Sequence, residues 1–122
     1  MKNQTYRMTL LFDFYGDILT DRQKEFYDLY YNEDLSLAEI AENYGISRQG
    51  VRDVIVRAEG IMTELEDKTG IIKRFKAMQP HVQAICDTAD ELLRANSTAT
   101  FPDSNLEEAL LRIKAEAQAL KE

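Results

Sequence analysis

The sequence predicts an all-α protein of five to six helices, in which a trihelical helix-turn-helix core is followed by a carboxy-terminal helical extension. Apolar residues recur mainly at spacings of three and four, which is the period of a helix buried on one side. Glycine and proline fall between these stretches, and the alternating pattern of strands is rare. With 122 residues, the chain is long enough to bury a core without disulfides or a structural metal.

Four helices are expected in the first 70 residues. They are predicted at 6–15, 21–31, 37–43 and from 48 to about 68. Thr20, Ser36 and Ser47 each precede one of these helices, and a hydroxyl in that place accepts a hydrogen bond from a free amide of the first turn. Glu39 follows Ser36 by three residues and completes the pattern of a capping box. The starts of these helices are therefore encoded locally.

The remainder of the chain is predicted to be helical on both sides of one loop. A helical period continues beyond residue 71, although Pro80 is expected to kink that helix or to begin a new one. A loop is predicted at 95–105, followed by a last amphipathic helix. The apolar side of that helix would consist of Leu106, Ala109, Leu110, Ile113, Ala117 and Leu120. We therefore divide the chain into a helix-turn-helix domain at 1–70 and an extension at 71–122 that serves packing or dimerisation.

The charge distribution limits how the chain can meet nucleic acid. The formal net charge is −7, whereas nonspecific binding draws most of its free energy from lysines and arginines that release phosphate counterions. Residues 1–70 hold 8 basic and 14 acidic side chains, and residues 71–122 hold 7 basic and 8 acidic ones. Any contact with nucleic acid is therefore expected to be local.

The sequence predicts neither an enzyme nor a cofactor, and no small-molecule substrate. Cys86 is the only cysteine, which excludes an intramolecular disulfide and the usual thiolate metal sites, and its apolar neighbours favour a small buried hydrophobe. His81 is the only histidine and has no second donor at ligand spacing. Phosphate loops, serine elbows and zincin helices are missing. Because no apolar run approaches a membrane span and no export signal is present, we expect a cytoplasmic protein that does not contact membranes.

The segment from Leu35 to Ile55 carries the pattern of a helix-turn-helix motif. Ala41 is small where two helices would cross, and Gly45 stands in the turn, where a positive φ is cheap only for glycine. The residues that would seal the core between the helices are Leu37, Ile40, Ile46, Val51 and Ile55. This combination predicts a helix-turn-helix motif.

The second helix of this motif supplies the candidate nucleic-acid contacts. They are Ser47, Arg48, Gln49, Arg52 and Arg57. At about 100° per residue, Gln49, Arg52 and Arg57 turn outward and Arg48 lies on the rim. Gln49 suits adenine, Arg48 or Arg52 suits guanine or phosphate, and the amides after Ser47 suit a phosphate oxygen. The alternative is that the arginines pair with nearby acids on a solvated face.

Several residues weaken this recognition face. Asp53 and Val56 share it, and Gly50 contributes no side chain to a base while costing roughly 1 kcal/mol of helix propensity relative to alanine. Glu39 and Glu42 point outward from the supporting helix, near the expected path of the DNA backbone. Nucleic-acid binding is therefore expected to be weak or to require assistance from elsewhere.

A second basic cluster follows the motif at Lys73, Arg74 and Lys76. These side chains are candidate contacts to phosphate or to the acidic surface of a partner. A solvated helix face explains them equally well.

The motif and its flanks resemble two groups of bacterial proteins. Residues 19–58 resemble the carboxy-terminal, promoter-reading region of sigma factors, although that region usually has a charged side chain at the place of Gly50. A longer signature resembles the YlxM family over most of the first 75 residues. It consists of Leu11-Phe12-Asp13-Phe14-Tyr15-Gly16, Tyr30-Tyr31, Asp34-Leu35-Ser36-Leu37 and Ile46-Ser47-Arg48-Gln49. This resemblance implies a DNA-binding protein linked to the signal-recognition-particle pathway.

Two hypotheses follow for function. In the first, the chain is a regulatory protein that binds DNA, or RNA, as a homodimer. In the second, it is an adaptor that docks a basic protein of the signal recognition particle through acidic side chains. Those side chains are Asp28, Glu33, Asp34, Glu39 and Glu42.

Overall fold

A computed structural model describes residues 5–121, which form six α-helices and one 3₁₀ turn, without any strand in that range. The helices are α1 (Thr5–Tyr15), α2 (Asp21–Tyr31), α3 (Leu37–Tyr44), α4 (Arg48–Thr69), α5 (Ile71–Ser97) and α6 (Ser104–Ala119). The 3₁₀ turn is Gly16–Ile18. The predicted all-α class with a helix-turn-helix core is confirmed. The chain divides into two compact units, the first ending at Ile72 and the second beginning at Lys73.

Three hydroxyl caps begin the helices of the first unit as expected. Thr20 accepts from the amide of Gln23 and Ser36 from that of Glu39, and in both cases the side chain at the third helical position bonds back to the cap amide. Ser47 accepts from the third amide of α4. Each cap satisfies a donor that the helix itself leaves free.

Helix α4 forms the centre of the first unit, because α1, α2 and α3 all pack on it. The core side chains without exposed surface are Phe26, Tyr27, Ile40, Val51, Ile55, Ala58 and Met62. They come from α2, α3 and α4, so the long helix is held on its apolar side while its opposite side stays in solvent.

Tyrosine hydroxyls tie the helices of this unit together. Tyr27 donates to the carbonyl oxygen of Met8 at 2.7 Å, which joins α2 to α1. Three further hydroxyls donate to glutamates, in the pairs Tyr15–Glu66, Tyr31–Glu59 and Tyr44–Glu25. Burial and the hydrogen bond to Glu59 raise the pKa of Tyr31 well above its usual value. These bonds satisfy polar atoms that would otherwise be costly at the edge of a core.

The second unit is a hairpin of α6 and most of α5, with a small core of Val82, Cys86 and Ala117. Lys114 and Asp90 form an ion pair across it at 2.8 Å. The buried position of Cys86 agrees with its expected behaviour as a small hydrophobe.

Two details of this unit differ from the prediction. Helix α5 continues through Pro80, so the alternative in which a new helix begins there is wrong; the missing amide removes one hydrogen bond and leaves the neighbouring turns intact. The loop spans 98–103 rather than 95–105. The side chain of Asn96 donates to the carbonyl oxygen of Asp103 and accepts from its amide, both at 2.9 Å, which closes a shorter connection.

Candidate nucleic-acid interface

The turn between α3 and α4 sets the angle at which the second helix is presented. Gly45 ends α3 with φ of 65°, in the left-handed region that favours glycine. The next amide, that of Ile46, donates to the carbonyl oxygen of Ala41 at 3.1 Å. Ser47 then caps α4 by accepting from the amide of Gly50, so only three residues separate the end of α3 from the start of α4.

Helix α4 separates an apolar side from the candidate interface. Val51, Ile55 and Ala58 are fully buried and Val54 is half-buried, which includes both residues of α4 that the sequence placed in the core, Val51 and Ile55. The outward set is exposed. It consists of Arg48, Gln49, Arg52, Asp53, Val56 and Arg57. Within this set three cations face one anion, so the interface is locally basic although the chain is acidic.

Three of the predicted contacts meet in one open groove. Arg48, Gln49 and Arg52 line it from α4, and α2 contributes Tyr30 to its wall. The start of α3 completes it with Ser36, Leu37 and Ala38, and the groove has a volume of about 800 Å³. Arg57 is exposed further along α4, outside the residues that line this groove. The groove therefore combines two guanidinium groups and one amide beside the beginnings of two helices.

Gln49 is held along the helix rather than projecting freely. Its Nε2 donates to Oδ1 of Asp53 at 2.8 Å. An amide nitrogen carries two protons, so one N–H and the carbonyl oxygen of Gln49 remain for another partner. Asp53, which looked only unfavourable in the sequence, thus orients the side chain best suited to read adenine.

Gly50 is the third residue of α4, and its amide donates to Oγ of Ser47 at 3.0 Å. A Cβ at this position would lie 3.2 Å from that oxygen. Gln23 and Glu39 hold the equivalent places in α2 and α3, and both carry a side chain beside the same kind of hydroxyl cap. The cap of α4 therefore does not by itself require glycine at this place.

The acidic side chains of α3 fall into two kinds. The carboxylate of Glu39 accepts from the amide of Ser36 at 3.1 Å, so it serves the start of its own helix. Glu42 is exposed on the following turn. Only part of the negative charge predicted near the DNA backbone is therefore engaged within the protein.

The second basic cluster belongs to the second unit. Lys73, Arg74 and Lys76 are exposed near the start of α5, and they belong to the second unit. They are not among the residues that line the groove of α4. Their role as phosphate or partner contacts stays a prediction.

Residues 5–121 hold neither a metal-binding cluster nor a membrane-spanning helix. In that range, groups of three or more histidine, cysteine or acidic side chains arranged to hold a metal ion are absent. Among the helices described, none is both long enough and apolar enough to cross a membrane.

The capped turn, the buried side of α4 and the exposed basic side together define a helix-turn-helix protein. The family described as "Putative helix-turn-helix protein, YlxM / p13 like" matches residues 2–99. The chain belongs to this family, which is named UPF0122, and the predicted resemblance to YlxM proteins is confirmed. Helix α6 lies beyond the matched residues.

Relatives in the same family match more than half of the chain. A UPF0122 protein of Desulforamulus reducens is 50% identical over 70 residues, which is 57% of this chain and 60% of the relative. One from Caldanaerobacter subterraneus subsp. tengcongensis is 45% identical over 85 residues, or 70% of this chain and 73% of the relative. One from Clostridium kluyveri is 43% identical over 86 residues, covering 70% and 78%. The chain thus spans less than two thirds of the Desulforamulus protein and more of the other two.

Proposed function

We propose that this protein is a regulatory protein that binds duplex DNA through the outward side of α4. The observation that supports the proposal is the groove in which Arg48, Gln49 and Arg52 stand together beside the start of α3. In a helix-turn-helix protein the first residues of the second helix reach base edges in the major groove, while the first helix crosses the backbone. Such a protein acts in the cytoplasm, which we propose as its location.

Each contact has a definite chemical role. Gln49 would accept from N6 of adenine and donate its remaining N–H to N7, while Asp53 keeps the amide in place. Arg48 and Arg52 lie one helical turn apart, so one can bind guanine while the other holds a phosphate. Arg57 would add a phosphate contact further along the helix.

The small number of cations sets the strength of binding. Neutralising a phosphate changes the slope of log K against log salt by about −0.9, so two or three arginines give a slope of about −2 to −3. The acidic side chains near the interface also repel the DNA backbone. Affinity is therefore expected to be modest and to fall as salt is added.

The test measures binding of the full chain to duplex DNA by fluorescence anisotropy from about 50 to about 200 mM salt. Arg48→Ala combined with Arg52→Ala should weaken binding and reduce the slope by about 2. Arg7→Ala combined with Arg94→Ala removes the same charge from exposed residues elsewhere and serves as the matched control. Equal losses in the two double variants, or binding that does not respond to salt, would refute the proposal. Tighter binding to structured RNA than to any duplex would assign the surface to RNA instead.

A second candidate function is an adaptor for a basic protein of the signal recognition particle, the pathway that the YlxM resemblance implies. The observation that favours it is an acidic surface on the first unit. Glu33, Asp34, Glu39 and Glu42 are exposed, and a separate open groove of about 450 Å³ includes Asp17, Asp21, Glu25 and Asp28 in its lining.

The two candidates are separated by capture from cell lysate with and without nuclease. Protein partners that remain after digestion of nucleic acid support the adaptor. If every partner disappears with the nucleic acid, the adaptor fails and direct DNA or RNA binding is favoured.

A further inference from the structure

One apolar side chain stands among polar ones on the outward side of α4. Val56 is exposed by 39%, and the described residues 21–69 hold no other exposed large apolar side chain. Valine also forms helices less readily than unbranched residues, because its branched Cβ restricts the side chain. Neither water nor the helix favours valine at this place, whereas a contact outside the chain would account for it.

Val56 lies on the same line of the helix as Gln49. Seven residues turn an α-helix through about 700°, which leaves these two side chains only about 20° apart around the axis. Arg52 and Asp53 lie between them, and all four side chains are exposed. A recognition helix that lies along the major groove reads bases from such a set of positions, spaced i, i+3, i+4 and i+7. Val56 is therefore placed to meet a base edge when Gln49 does.

The chemistry of the major groove determines which base an apolar side chain can read. The base edges there present hydrogen-bond donors and acceptors, and the one apolar group among them is the C5 methyl of thymine. We propose, on the basis of the DNA-binding function proposed above, that Val56 is a specificity-determining residue that contacts this methyl group. The contact removes apolar surface of both groups from water, which is favourable without any hydrogen bond.

The distance between the two readers sets the spacing of the bases. Seven residues separate Gln49 and Val56 by about 10 Å along the axis, which corresponds to about two to three base pairs. Gln49 is held by its hydrogen bond to Asp53 at 2.8 Å, so one end of this pair is already oriented. Gly60 is the next residue on the same line and has no side chain to reach a base. The preferred duplex therefore contains an adenine and, about two to three base pairs away, a thymine.

A thymine contact also selects DNA over RNA as the partner of this surface. Uracil lacks the methyl group, and the major groove of an RNA helix is too deep and narrow for side chains to read. The arginines of the interface could hold the phosphates of either nucleic acid. Val56 is therefore the side chain on this side of α4 that distinguishes the two.

The experiment compares thymine with deoxyuridine, which differs only in the missing methyl group. The wild-type chain first selects its best duplex from a randomised pool. Fluorescence anisotropy then measures binding with each thymine replaced singly by deoxyuridine. One replacement should weaken binding roughly fourfold, as expected for the loss of one buried methyl group. Replacing each adenine by 7-deazaadenine, which lacks N7, locates the base that Gln49 reads, and the two positions should lie about two to three base pairs apart.

Two variants connect the methyl group to Val56. Val56→Ala should bind the thymine and deoxyuridine duplexes equally, because the shortened side chain no longer reaches the methyl group. Ile18→Ala is the control, since Ile18 is 55% exposed on the 3₁₀ turn, and the roughly fourfold preference should persist in it. Circular dichroism checks that the helices remain in both variants, which is expected because both side chains are exposed.

The outcomes separate this assignment from the proposed function. Binding that no deoxyuridine weakens, a thymine preference that Val56→Ala retains, or tighter binding to structured RNA would overturn the assignment. If Arg48→Ala combined with Arg52→Ala still weakens duplex binding in that case, the proposed function stands and only the role of Val56 is wrong. A chain that binds no duplex refutes both.

Discussion

The sharpest test of the turn compares the same substitution at two glycines. Gly45 has φ of 65° and Gly60 lies inside α4, and a Cβ at either position would meet no atom within 4 Å. Crowding is therefore removed from the comparison, and only backbone conformation differs. In Gly45→Ala the left-handed conformation costs about 1–2 kcal/mol, offset by about 0.4–1 kcal/mol from the less flexible unfolded chain. The net loss is about 1 kcal/mol, whereas Gly60→Ala should gain about 1 kcal/mol of helix propensity.

The assay is denaturant unfolding followed by tyrosine fluorescence. The six tyrosines all lie between residues 6 and 44, so the signal reports the first unit. The midpoint should fall for Gly45→Ala and rise for Gly60→Ala, with the denaturant slope unchanged. Shifts of the same sign in both variants would refute the argument that Gly45 is required by its φ. A change in slope would show that one substitution altered the unfolded state instead.

Three other outcomes are expected. Asp53→Asn keeps an acceptor for Gln49 but removes the anion from the interface. DNA affinity in the anisotropy assay should therefore rise roughly fivefold at low salt, or about 1 kcal/mol. An unchanged affinity would place Asp53 away from phosphate. Ser47→Ala removes the cap of α4 and should lower the free energy of unfolding by about 1 kcal/mol. Ser104 is exposed and is the first residue of α6, whose cap is Asp103, so Ser104→Ala should have little effect. Tyr31 has a raised pKa in the folded chain, so the folded state keeps the phenol proton at a pH where the unfolded state has lost it. The free energy of unfolding should therefore be unaffected below about pH 10 and fall as the pH rises above that value. Tyr31→Phe should reduce this pH dependence in alkaline unfolding curves.

The sequence predicted the features that depend on neighbouring residues. Thr20, Ser36 and Ser47 cap their helices because a hydroxyl reaches an amide only three residues away. The inward and outward sides of α4 also followed from the helical period. These are properties of a single helix, which a linear pattern contains in full.

Features that depend on residues distant in the chain were missed. The hydroxyl of Tyr15 meets Glu66 across 51 positions, and nothing in the local pattern connects them. The apolar side predicted for the last helix was also only partly covered: Leu110 and Ala117 are buried, whereas Ile113 and Leu120 are about half exposed. Periodicity shows that a side is apolar but not which of its residues a neighbouring helix covers.

The groove shared by α3 and α4 could not be predicted from the sequence, because its shape depends on the angle between the two helices. Arg48, Gln49 and Arg52 could therefore be named in advance as candidates, while their common wall with Tyr30 could not.

The carboxylate of Glu66 joins parts of the chain that are synthesised far apart in time. It accepts from Tyr15 of α1 at 2.6 Å and from the amide of Ile72 at the start of α5 at 2.9 Å. Tyr15 is synthesised well before Glu66 and Ile72, so α1 can meet α2 earlier, through the bond from Tyr27 to Met8, than it can meet the end of α4. We therefore expect the shared contact at Glu66 to be complete only after Ile72 has emerged from the ribosome.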